Sequence, residues 1–261
     1  LEERKQTVLK TIEETGALTD EIQRKIDLAR TLAEVEDIYR PYKPKRRTRA
    51  TIAKEKGLGP LAATIREQAL TVSLTDEAEK YVDPENDVHV PQDAINGACD
   101  IIAEEISDNA DYRSWIRDIT RKQGMISSSQ KKEDTPSVYE MYYDYSEKLS
   151  TIPGHRILAM NRGEKEDCLT VKITAPEEDI IRYLDKQVIT SDNPNTTPAL
   201  QNAAQDAYTR LIAPSIEREI RSDLTEMAED GAIKVFAANL RQLLLAPPIA
   251  GKTVLGWDPG Y

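Results

Sequence analysis

Apolar residues return every three or four positions through most of this chain, and that spacing confines it to packed amphipathic helices. Val8, Leu9 and Ile12 make a first stripe. Ile22, Ile26, Ala29, Ala33 and Ile38 make a second, and Ile95, Ala98, Cys99, Ile102 and Ile106 a third. Trp115, Ile116 and Ile119 form another face, with Asp108 as the expected cap before it. Punctuation agrees with these stripes. Gly16 suits a helix stop, Thr19 a cap followed by Asp20 and Glu21, and Pro91 and Pro214 suit helix starts. Pro41 and Pro44 close the second stripe, and Pro247 and Pro248 close the last one. With one Phe and two Trp in 261 residues, the core has to be built from Ile, Leu, Val and Ala.

One segment has the other period. Leu169, Val171 and Ile173 alternate with Thr170, Lys172 and Thr174, which predicts a short β element over 168–174. The polar stretch Ser127 to Thr135 reads as a loop, followed by Tyr139, Tyr142, Tyr143 and Tyr145. Ile233, Phe236, Leu240 and Leu243 follow a 3-4-3 spacing, a narrow apolar seam. Gly231 either divides this region into two helices or sits inside one at a cost of about 1 kcal/mol. No fixed repeat is visible.

Charge is distributed unevenly. The formal net charge is −11, from 35 Lys and Arg against 46 Asp and Glu, and the mean hydropathy is −0.57. Between Arg40 and Lys56, however, eight Lys or Arg stand against one Glu, a local +7 that leaves −18 for the remainder. Arg40, Lys43, Lys45, Arg46, Arg47 and Arg49 are candidate phosphate contacts, and Tyr39 and Tyr42 are candidate stacking platforms for unpaired bases. Two other readings stay open: the cations pair with carboxylates of the same protein, or they meet a protein partner.

The catalytic and cofactor motifs do not hold. Gly57, Gly59 and Ala62 fit a relaxed dinucleotide pattern, but a charged, helix-like run precedes them where a strand is needed, and Pro60 suits a helix start. Gly251, Lys252 and Thr253 resemble the end of a P-loop, yet Ala246 stands where its first Gly belongs. His89 and His155 lie far from each other and from Cys99 and Cys168, so no metal-ligand spacing arises. Neither a catalytic residue nor a cofactor is expected. Two distant cysteines predict a reducing, cytoplasmic setting, and no run of 18 apolar residues predicts a membrane span.

Taken in order, the run from Tyr39 to Ala62, Asp144 to Glu147, His155 to Ala159, Arg162 to Glu166, Glu217 to Arg221, Phe236 to Arg241 and Leu255 to Gly260 closely resembles the Tex family of bacterial transcription accessory proteins. The resemblance covers essentially the whole chain. It implies a helical N-terminal region that ends at the entry strand of a YqgF/RNase H-like domain. It further implies a longer cytoplasmic protein that binds RNA or DNA and works with the transcription machinery, chiefly through domains beyond Tyr261. On this reading 1–125 is an N-terminal helical region carrying the basic segment 39–57. Residues 126–250 are a central helical region with the short β element. Residues 251–261 begin an RNase H-like domain that is incomplete here, with Asp258 at its strand end. The fold expected is mainly α, a multi-helix assembly with one short β element and an isolated terminal strand. Two roles are expected of it: a helical scaffold whose basic segment touches phosphates or braces other domains, or a docking scaffold for polymerase or ribosomal partners.

Overall fold

The computed structural model describes residues 1–43, 47–131, 138–247, 250–253, 255–258 and 260. Local capping sets most element boundaries. Helix α1 spans Glu2–Glu14 and stops at Gly16, whose φ of 71° needs no Cβ. Thr19, Thr31, Thr48 and Ser73 each accept a backbone N–H at the start of α2 (Asp20–Leu28), α3 (Leu32–Tyr39), α4 (Arg49–Glu55) and α6 (Leu74–Ala78). Between the last two lies α5 (Gly59–Glu67), entered through Pro60. Pro91 opens α7 (Pro91–Asp108). Asn109, rather than Asp108, caps α8 (Ala110–Gln123), because Asp108 still belongs to the preceding helix.

The apolar stripes gather into two clusters. A small one joins α1, α2 and α3 through Val8, Ile12, Ile26, Ala29, Val35 and Tyr39. The large one is centred on α7, which packs against α4, α5, α6 and α11 (Thr197–Asp206). Gly97 permits the closest approach there: a Cβ on it would lie 2.3 Å from Leu58 Cδ1.

The β structure is larger than its sequence signal. A three-stranded antiparallel sheet has the order β2-β1-β3, with β1 at Met125–Gln130, β2 at Asp144–Lys148 and β3 at Leu169–Thr174. So the residues 127–130, expected as loop, form a strand. Ile126 pairs with Glu147 and Ile173, and Ser128 with Tyr145 and Val171. Only one face is covered, so each strand carries polar residues on its other face. The buried face of β1 also includes a serine, Ser128, whose hydroxyl donates to the Tyr142 carbonyl at 2.7 Å. Side chains from neighbouring helices close the outer edge of β3. Glu217 Oε1 accepts from the Ile173 N–H at 3.1 Å, and Arg221 donates to the Val171 carbonyl at 3.2 Å.

Helix α9 (Gly154–Lys165) packs against β3, and α10 (Glu177–Val188) packs against α11. A π turn over Ala207–Ile212 then joins α11 to the longest helix, α12 (Ala213–Leu244). Pro214, which has no N–H to donate, sits in the first turn of α12 just past that widened segment. Gly231 lies inside α12 and does not divide it. Ile216, Ile220 and Ala228 of α12 are buried, whereas every residue from Glu229 to Pro247 is exposed. The described residues from 250 to 260 form no strand, since a lone strand has no neighbour to bond with; Leu255 and Trp257 are exposed. Among the described residues, no helix is long and apolar enough to cross a membrane.

Candidate nucleic-acid interface

The basic segment runs off the end of α3, through a 3-10 turn at Arg40–Tyr42, into α4. A reciprocal box between Thr48 and Thr51 fixes the start of α4: each side chain accepts a backbone N–H of the other residue. These elements commit several cations to internal contacts. Arg40 Nε lies 3.4 Å from Asp108 Oδ1 at the end of α7. Burial and the nearby charge of Arg113 hold the Arg40 guanidinium below its ordinary range. Arg47 Nη2 meets Glu55 at 3.1 Å across α4. Lys56 Nζ donates to the Asp87 carbonyl at 3.0 Å.

Lys43 and Arg49 are exposed. Arg49 lies over a cavity of about 270 Å³, also lined by Lys56, Asp87, Asp93, Asn96 and Asp100. The walls carry both signs. Burial pushes the Asp100 carboxyl up, against the opposing charges of Arg210 and Arg49. Tyr39 is 7% exposed, packed in the small cluster with the Arg4 guanidinium 5.6 Å over its ring. Tyr42 is half-buried against the same cluster. The structure therefore brings Tyr39, Arg40 and Tyr42 together as a packed corner, with Lys43, Arg47 and Arg49 on the outside. Lys45 and Arg46 lie outside the described residues.

A second charged constellation escaped the sequence reading. Asp37 of α3 is 6% exposed and receives Arg113 Nε at 2.5 Å and the Arg117 guanidinium, both from α8. Arg117 also binds Glu219 of α12 at 2.5 and 3.1 Å, Arg121 binds Asp223, and Arg113 donates to Ser215 Oγ at 2.8 Å. Burial opposes the charge on Arg117, but the bonds and charges of Glu219 and Asp37 overcome it and raise its pKa. Arg113 Nη1 is buried without a partner. The signal was present as spacing: Arg113, Arg117 and Arg121 recur every four residues, as do Ser215, Glu219 and Asp223. Their facing ladders fasten the α1–α3 unit and α12 to one helix.

Other chemistry is sparse. Among the described residues no group of three His, Cys, Asp or Glu could hold a metal. Burial pushes the Cys99 thiol up to about 11, which makes it a poor nucleophile.

Fold and site together define a helical region with a braced basic corner and a half-covered small sheet. Residues 70–236 match the family described as Tex central region-like, and the chain belongs to this family. It is 49% identical over its whole length to an uncharacterized Bacillus subtilis protein, YdcI, covering 37% of that protein. It is 35% identical over its whole length to transcriptional accessory protein Tex of Neisseria gonorrhoeae, covering 35% of it. Identity to human S1 RNA-binding domain-containing protein 1 is 29%, over 98% of this chain and 27% of that protein. The chain thus spans about a third of the length of these relatives.

Proposed function

We propose that this chain is the helical scaffold region of a nucleic-acid-associated transcription accessory protein of the cytoplasm, not an enzyme, and that its basic segment braces the scaffold from within. The names of the relatives support the wider role. The single observation supporting the brace is the corner at Arg40: its cation is turned to Asp108 while the adjacent Tyr39 ring is buried. In a longer protein of this kind, RNA or DNA is held by other regions, and this one sets their positions relative to transcription partners.

A second reading keeps phosphate contact for the exposed rim of the same segment. It is favoured by Lys43 and Arg49, which point no charge into a bonded ion pair among the described residues. Two variants separate these readings. Arg40→Gln lowers stability by about 1 kcal/mol if the segment is a brace, while Lys43→Gln leaves stability unchanged. If the segment contacts phosphates, Lys43→Gln and Arg49→Gln both weaken RNA or DNA binding. Unchanged stability in Arg40→Gln would overturn the brace.

A further inference from the structure

The two edges of the sheet are finished differently. On β3, side chains take up the backbone groups that point away from β1. Glu217 and Glu164 accept from the Ile173 and Val171 N–H groups, and Arg221 donates to the Val171 carbonyl. On β2 no side chain does this among the described residues. The Leu149 N–H donates to the Gly124 carbonyl and the Gln130 N–H to the Tyr143 carbonyl. That phase turns Tyr145 and Glu147 toward β1 and leaves Asp144, Ser146 and Lys148 to direct their backbone groups outward. The Lys148 carbonyl accepts from Thr151 and Ile152, which ends the strand. Among the described residues nothing bonds the Ser146 N–H and carbonyl or the Lys148 N–H. The strand has no proline or bulge and its three outward residues are exposed, so the edge is a template for another strand.

We infer that β2 pairs with β2 of a second copy of this chain, antiparallel and centred on Ser146, joining the two sheets into one. The charges on the strand select this occupant. In that register Asp144 stands opposite Lys148 of the second copy, symmetry repeats the pair, and Ser146 stands opposite itself. Centring the pair on Asp144 or on Lys148 would set like charges against each other. Among the described residues neither Asp144 nor Lys148 is held in an ion pair of its own chain. The backbone completes the match. The two Ser146 residues exchange both bonds, and each Lys148 N–H reaches the Asp144 carbonyl of the second copy. On the other face Glu147 is already bound to Arg156 at 2.8 Å and accepts from the Tyr145 hydroxyl, so no unpaired charge enters the junction there. A strand of five residues makes a small interface, and the association is weak. The inference does not depend on what the basic segment touches.

Sedimentation and hydrogen exchange of the 1–261 chain from about 10 μM to about 1 mM test it. A monomer–dimer equilibrium is expected, with the Ser146 and Lys148 amides exchanging more slowly as concentration rises. Lys148→Asp and Asp144→Lys each set like charges across the junction and should each weaken the dimer at least about tenfold. Mixed together, these two variants should pair with each other, because each supplies the charge the other lacks. The doubly reversed chain, Asp144→Lys with Lys148→Asp, should recover the parent's dimerisation to within about threefold. Should either single reversal lower the urea midpoint, the milder Lys148→Gln is expected to weaken the dimer about threefold, and no change in it counts against the inference. A chain that stays monomeric at about 1 mM overturns the inference. So does a dimer that both reversals leave unchanged, or one whose slowed amides lie at 233–244 instead, which would place the contact on α12.

Discussion

Removing the Asp37 carboxylate is the sharpest perturbation of this fold. The group is 6% exposed and sits between two guanidiniums, Arg113 at 2% and Arg117 at 6%. In Asp37→Ala, Arg117 keeps Glu219 and Arg113 keeps only the Ser215 hydroxyl. A buried charge then stands without its counter-ion, which costs about 3–5 kcal/mol, roughly a hundred- to four-thousand-fold in an opening equilibrium. The α1–α3 unit has its own apolar cluster, so it should undock before it melts. Urea denaturation reads the total loss, and hydrogen exchange over residues 2–39 reads where it falls. Asp27→Ala, at an exposed position on α2, is the control and should stay within about 0.5 kcal/mol of the parent. Arg113→Ala should cost less in the Asp37→Ala background than alone, by at least about 1 kcal/mol. A loss under about 1 kcal/mol in Asp37→Ala, or one spread evenly with no extra opening of α1–α3, would refute the reasoning.

Other outcomes follow from single contacts. Gln68, at φ 54°, donates to the Arg66 and Val188 carbonyls and accepts from the Thr190 and Ser191 N–H groups, so Gln68→Ala should cost about 2–4 kcal/mol by thermal or urea melting. Gly97→Ala drives a methyl against Leu58 and should cost about 1–3 kcal/mol, relieved in part by Leu58→Ala. A thiol whose pKa is pushed up to about 11 is about a thousandth thiolate at pH 8, so maleimide labelling of the native chain should be slowest at Cys99 and speed up about tenfold per pH unit below 11; mass spectrometry of labelled peptides checks this.

How much was legible depends on which face of an element is covered. Helices with one buried stripe announced themselves, and Thr19, Pro91 and Gly16 marked their ends as capping chemistry requires. Strand β1 did not, because its outer face carries Ser127 and Ser129 and even its buried face holds Ser128; its pairing to Val171 and Tyr145 comes from distant sequence. The continuity of α12 through Gly231 was open because glycine is a weak helix former; α12 packs on α9 as far as Ala228 and runs on through Gly231 with its residues exposed. At the basic segment, composition revealed the charge but not its direction. Arg40 turns inward because Asp108 ends α7 beside it, a juxtaposition no local pattern encodes. The ladder on α8 was readable as spacing, yet Asp37, its centre, lies 76 residues from Arg113.

The central claim is that the 1–261 chain is a scaffold braced at Arg40 that holds no nucleic acid by itself. Fluorescence anisotropy of labelled RNA and DNA against this chain tests it most directly. The account gives no saturable binding near physiological salt, and no difference between the parent and an Arg46→Glu, Arg47→Glu, Arg49→Glu variant. Contradiction would be saturable binding lost in that variant, with a log–log salt slope near about −3.5 for single strands or −4.5 for duplex, the values for five phosphate contacts.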